Sequence, residues 1–271
     1  MPTAAQALPP HHVRARNAAT ASENKIHDDA VARQHGFAGG LVPGITVFGY
    51  LTAPIVKAWG QAWLERGALS ARFRQPIYDG DDLTVVGTPS SDGDVALEAR
   101  NQAGEVCALG QAGLQPGAPE LPALDDYPEA SLPASRFAPT PEALAGVGIL
   151  GSVEAGFHAE RVDHTLVGDD LRIYRELGVA HPVWLLYFAN AILASNVVLG
   201  PWIHTASAIQ NLGLLHNGER LSARGRIVDL SERRGHQVVD LDILMLAGGV
   251  RPVMHVRHTA IYRLRSNEHS E

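Results

Sequence analysis

The chain has a single cysteine, Cys107, in 271 residues, which excludes an intrachain disulfide. Cys107 sits in the apolar run Val106-Cys107-Ala108-Leu109 and reads as a small buried hydrophobe rather than a reactive thiol. No apolar run approaches the ~18 residues of a membrane span. Basic charge is scarce as well: 22 Lys and Arg stand against 29 Asp and Glu, a net charge of −7. That balance gives no electrostatic reason to expect nucleic acid or an anionic membrane as a partner. Met1 to Pro10 lacks a basic cluster followed by an apolar core, so no secretory signal is expected and a cytoplasmic setting is the default. No Cys or His spacing resembles a zinc site, and no metal is expected.

The hydrophobic fraction of 45% and the charged fraction of 19% are those of an ordinary globular protein. Thirteen histidines is a high count. His11 and His12 lie in a segment expected to fray, and His255 and His258 fall on opposite faces of a strand by alternation. Seven of the 17 prolines lie between 116 and 141, a density that leaves little regular structure. This divides the chain into an N-terminal unit (1–115), a proline-rich linker (116–145) and a C-terminal unit (146–271).

The two units repeat one pattern. In the first, a helix-like run over 46–63 leads to a strand-like 69–75 and the turn Asp79-Gly80-Asp81. In the second, a helix-like run over 182–197 leads to 205–211 and the turn Asn217-Gly218-Glu219. The turns lie 138 residues apart, and Asp-Gly and Asn-Gly are strong turn formers. Each turn precedes strands of period two: 83–87, 95–101 and 106–113, then 221–230, 237–247 and 253–264. The pattern predicts a duplicated unit of one long helix on a curved antiparallel sheet. Pro182 favours a helix start there, with His181 as its cap, and Pro54 predicts a kink in the first helix.

The segment Ser22-Glu23-Asn24-Lys25-Ile26-His27-Asp28-Asp29 carries the chemistry. A histidine, an asparagine and three acidic residues share one turn-rich stretch, which runs through Gly36-Phe37-Ala38-Gly39-Gly40-Leu41-Val42-Pro43-Gly44 into the first helix. His27 is the candidate acid/base group, because imidazole titrates near neutral pH. Asn24 either holds substrate or fixes a loop carbonyl, and Ser22 either serves the site or forms a turn. Asp28 and Asp29 either orient His27 or cap the short helix that follows. The amides of Gly44 and Ile45 open the long helix and can donate to a carbonyl, unless Gly44 serves only close packing. Arg14, Arg16, Arg72 and Arg74 could meet phosphates or be solvated surface.

Asn24-x-Ile26-His27-x-Asp29, followed by Ala32, Gly36-Phe37 and a glycine-rich loop into a helix, resembles the MaoC-like acyl dehydratase and (R)-specific enoyl-CoA hydratase family. The duplicated unit resembles that family's double hot-dog fold, an α+β architecture of two tandem long-helix-on-antiparallel-sheet units. The resemblance implies a hydro-lyase acting on an acyl thioester of CoA or acyl carrier protein, with no cofactor and with a homodimer as the candidate assembly. It implies catalytic roles for His27, Asn24 and Ser22, and substrate contacts for Gly44, Ile45 and Asp29. The family pattern reads Asp-x-Asn-Pro-Ile-His. Here Ser22 stands at the aspartate, Lys25 at the proline, and Pro43 at a histidine that precedes the helix-opening glycine. A serine is no base at neutral pH, which keeps a cyclase, an isomerase and a non-catalytic acyl-binding protein as alternatives. The second unit has no Asn-x-x-His string and is expected to shape the pocket.

Overall fold

The structure, a computed structural model that describes residues 7–90, 93–114, 116–161 and 172–265, has ten strands among those residues. They are β1 (Leu8–Arg14), β2 (Gly67–Phe73), β3 (Asp82–Pro89), β4 (Val95–Arg100), β5 (Val106–Leu114), β6 (Ile149–Gly156), β7 (Ile203–Asn211), β8 (Arg220–Arg233), β9 (His236–Ala247) and β10 (Arg251–Arg263). The helices are α1 (Asp29–Gln34), α2 (Gly44–Arg66), α3 (Pro141–Ala145), α4 (Ile173–Leu177) and α5 (Pro182–Asn196).

All ten strands form one antiparallel sheet in the order β1-β3-β4-β5-β2-β7-β10-β9-β8-β6. The second half of that order mirrors the first, and β2 pairs with β7 at the centre from Ala68↔Gln210 to Arg72↔Ala206. The duplication extends to single hydrogen bonds at the 138-residue offset. Val42 N–H donates to Ile77 O and Ala180 N–H to Leu215 O. Leu41 bridges Tyr78 as Val179 bridges His216. By this offset the counterpart of the Asn24–His27 segment is 162–165, outside the described residues.

Helix α2 packs across the first five strands and onto β7. Helix α5 packs on β6, β8 and β10, and the two helices touch. A single apolar core joins them, with Phe48, Leu51 and Ile55 of α2 and Leu186, Ile192 and Leu193 of α5 fully buried. Joining the halves uses polar groups too. The Asn211 amide donates to Trp63 O at 2.9 Å and Gln210 to Arg66 O at 2.9 Å, which satisfies carbonyls at the C-terminus of α2. No helix among the described residues is long and apolar enough to cross a membrane.

Three local expectations are corrected. His11 and His12 do not fray: they belong to β1, whose pairing with β3 supplies their backbone partners. Strand β6 also escaped the pattern. Helix α2 stays helical through Pro54 and breaks instead at Gly60 (φ 56°, ψ −141°), a conformation open to a residue without Cβ. His255 and His258 do face opposite ways. His258 is buried in the core, while His255 meets Tyr127 and Asp242 on the other face, where the proline-rich segment crosses the sheet.

Candidate functional site

His27 closes a short 3-10 turn, Lys25–His27, that Asn24 starts by accepting from Ile26 N–H. Its Nδ1 lies 2.7 Å from Leu41 O. A carbonyl only accepts, so Nδ1 carries the proton and Nε2 keeps its lone pair. Burial lowers the ring's pKa, and the Leu41 carbonyl offsets part of that by favouring the charged form. The ring is therefore neutral at physiological pH, and the lone pair of its basic nitrogen meets only a long contact from Asn24 Nδ2. The glycine-rich loop makes this geometry possible. A Cβ on Gly40 would sit 2.2 Å from His27 O, so only glycine lets the loop lie on this turn.

Asn24 points its amide at the second half of the chain. Its Nδ2 donates to Trp202 O at 3.0 Å and its Oδ1 accepts from Trp202 N–H at 3.2 Å. The contact to His27 Nε2 is longer, at 3.4 Å. Asn24 thus fastens the turn to the strand entry at β7 and is occupied at both ends. Ser22 donates to Asn24 O at 3.1 Å, a local turn bond.

The turn borders two spaces. An inner cavity of about 190 Å³ lies between His27, Phe37, Val47, Phe73, Ile77 and His204. An outer groove of about 370 Å³ runs past Ser22, Ile45, Arg136, Tyr187 and Leu199. Asn24, His27, Pro43, Asn190 and Trp202 border both, so these five residues form a neck between cavity and groove. Ser22 and Ile45 line the groove and not the cavity, while Gly44 lines the cavity. Asp29 borders neither. Its carboxylate accepts from Gly40 N–H at 2.8 Å and pairs with Arg33 at 3.2 Å, so it shapes the loop instead of making the expected substrate contact. Asp28 caps α1 through Ala30 and Val31 N–H. Of the arginines singled out in the sequence, Arg74 alone borders the cavity.

The two long helices differ at their starts. At α5 the His181 side chain accepts from Val183 N–H at 3.0 Å, as expected of a cap. At α2 the N-cap is Pro43, which makes no side-chain cap bond. The Gly44 and Ile45 amides find no acceptor among the described residues. They leave an open positive helix end beside the neck, suited to a carbonyl oxygen or an oxyanion. Gly44 packs so tightly that a Cβ there would come within 2.7 Å of His204 Nδ1 and 2.9 Å of Phe73. His204, at the cavity wall, bonds Ser207 Oγ at 2.8 Å, which in turn bonds His258 Nδ1 at 2.9 Å. Burial drives both imidazoles neutral, His204 well below its usual range and His258 to about 3.

Sequence reasoning missed Asn190 and His204. Both come from the second half, and only the β2–β7 junction and the contact of α2 with α5 bring them to the first. The one available signal was an asparagine within the apolar run Leu185–Leu193.

Neither a protein-family model nor a curated protein matches the sequence. Solved structures do. A conserved hypothetical protein of Mycobacterium tuberculosis with a double hot-dog fold superposes with a TM-score of 0.63 at 15% identity, over 95% of this chain and 96% of that one. A MaoC-like dehydratase superposes with a TM-score of 0.56 at 14% identity, over 94% and 98%. An acyl-CoA thioesterase II of Mycobacterium marinum matches with a TM-score of 0.50 at 18% identity, over 84% and 93%. The chain has the double hot-dog fold, an architecture it shares with MaoC-like dehydratases.

Proposed function

We propose that the protein is an acyl-thioester hydro-lyase that adds water to, or removes it from, the α,β-bond of a short acyl group. One observation carries this reading: the lone pair of His27 Nε2 and the uncapped start of α2 meet at the same neck. The acyl chain enters the apolar cavity, and the thioester carbonyl rests on the Gly44 and Ile45 amides. The carrier, CoA or acyl carrier protein, follows the groove outward. A cavity of about 190 Å³ is below the ~300–1,000 Å³ of typical drug-sized pockets and favours a short acyl group.

In the hydration direction, His27 Nε2 takes a proton from water as the oxygen bonds the β-carbon. The double-bond electrons move through the α-carbon to the thioester oxygen, where the two amides stabilise the enolate. His27 then returns that proton to the α-carbon, so one water is added and no redox partner is needed. Dehydration runs the same steps backwards.

The same groups could direct water to the thioester carbonyl itself, as in a thioesterase. Incubation with crotonyl-CoA tests the two readings. Loss of the enone absorbance without free thiol supports the hydro-lyase. Thiol release without 3-hydroxyacyl product supports hydrolysis, and no turnover with tight binding of the thioester supports an acyl-binding protein.

A further inference from the structure

Two asparagines face inward from α5, and their circumstances are opposite. Asn196 is fully buried and fully used: its Oδ1 accepts from Gly151 N–H at 2.7 Å, and its Nδ2 donates to Gly151 O at 2.9 Å and Ile192 O at 2.8 Å. The Asn190 side chain makes no hydrogen bond among the described residues, and its Oδ1 is buried without a partner. A buried amide oxygen left unpaired costs about 1–3 kcal/mol, so such a group calls for an explanation. The rest of the α5 segment around it is apolar, and Asn190 borders both the inner cavity and the outer groove.

The neck has three polar side chains: His27, Asn24 and Asn190. His27 spends Nδ1 on Leu41, and its Nε2 lone pair meets only the long 3.4 Å contact from Asn24 Nδ2. Asn24 spends both ends of its amide on the Trp202 backbone. Ser22 is tied to Asn24 O and does not reach the cavity lining. Asn190 alone has both donor and acceptor capacity uncommitted. Its terminal torsion is broad, so either end of the carboxamide can turn toward the neck.

We propose that Asn190, supplied by the second half of the chain, is the catalytic residue that holds the reacting water opposite His27. This rests on the hydro-lyase reading and deepens it. The Asn190 oxygen accepts one hydrogen of the water, and the other points to His27 Nε2. The remaining lone pair is left to face the β-carbon. A carboxamide cannot take the proton, so His27 is the sole base and Asn190 orients. The role vacated by the missing carboxylate at Ser22 thus passes across the junction to α5.

The test compares wild type, Asn190→Ala and Asn190→Asp in crotonyl-CoA hydration, with butyryl-CoA binding followed by calorimetry. Asn190→Ala is expected to lose about a hundredfold in kcat while KM and butyryl-CoA affinity stay within about threefold. Asn190→Asp is expected to add a pH-dependent limb absent from wild type, since its carboxyl titrates and a carboxamide does not. An Asn190→Ala enzyme with wild-type kcat overturns the proposal and leaves the hydro-lyase reading standing. A loss confined to binding overturns it too, by making Asn190 a pocket wall. A wild type that releases thiol or turns over no enoyl thioester overturns the parent reading itself, a different result.

Discussion

At His27, one ring nitrogen serves the fold and the other is left for proton transfer. Because burial lowers the pKa, the base form persists to a lower pH than a free imidazole allows. The acid limb of kcat/KM for hydration should therefore have its midpoint below 6.5, and an observed midpoint above that value would contradict the assignment. His27 was legible in the sequence because its partners, Asn24 and the glycine loop, are local. Asn24 was only half legible. Its place in the motif was clear, but its grip on Trp202, 178 residues away, depends on the two halves meeting. Replacing Asn24 by Ala should strand the Trp202 amide and carbonyl and cost about 1–3 kcal/mol in urea unfolding, more than a surface asparagine would.

At the scale of elements, the contrast between the starts of α2 and α5 separates function from stability. Gly44→Ala forces a methyl against His204 and Phe73. It should destabilise by about 1–3 kcal/mol and, by displacing the first amides of α2, lower kcat as well. His181→Ala removes the cap of α5 and should cost about 1 kcal/mol or more in stability while leaving the hydration rate of the folded enzyme unchanged. Thermal melts paired with rates distinguish the two outcomes. The helix starts were readable because Gly44 and Pro182 announce them locally. The break in α2 was not. Proline was the visible helix breaker, yet Pro54 is accommodated, and the chain turns at Gly60, where positive φ costs least.

For the whole molecule, duplication was visible as repeated turns and strand spacing, whereas the single continuous sheet rests on β2 and β7, which no local pattern pairs. The merged core carries buried ionisable groups that set its response to acid. His258, at about 3 in the folded state against 6.5 when free, binds protons more readily in the unfolded chain. Stability is therefore complete above about pH 6.5 and declines as the pH falls toward 3, with His204 acting in the same direction. Asp242 behaves oppositely in origin. It is fully buried and holds Tyr127, His255, Arg226 and Arg257, and its pKa falls from 3.8 to about 2. Its contribution is present above about pH 3.8 and lost below. Between pH 6.5 and 4 the slope of unfolding free energy against pH belongs to the histidines, and His258→Asn should flatten it. An unchanged slope would contradict the buried neutral assignment.

The proton path at the neck is tested most directly by running short enoyl-CoA hydration in deuterium oxide with wild type and His27→Ala. The account predicts one deuterium at the α-carbon of the 3-hydroxyacyl product and a rate loss of about 10²–10⁴ in the variant. A variant that hydrates at the wild-type rate, or a wild type that yields free thiol and no hydroxyacyl product, would contradict it.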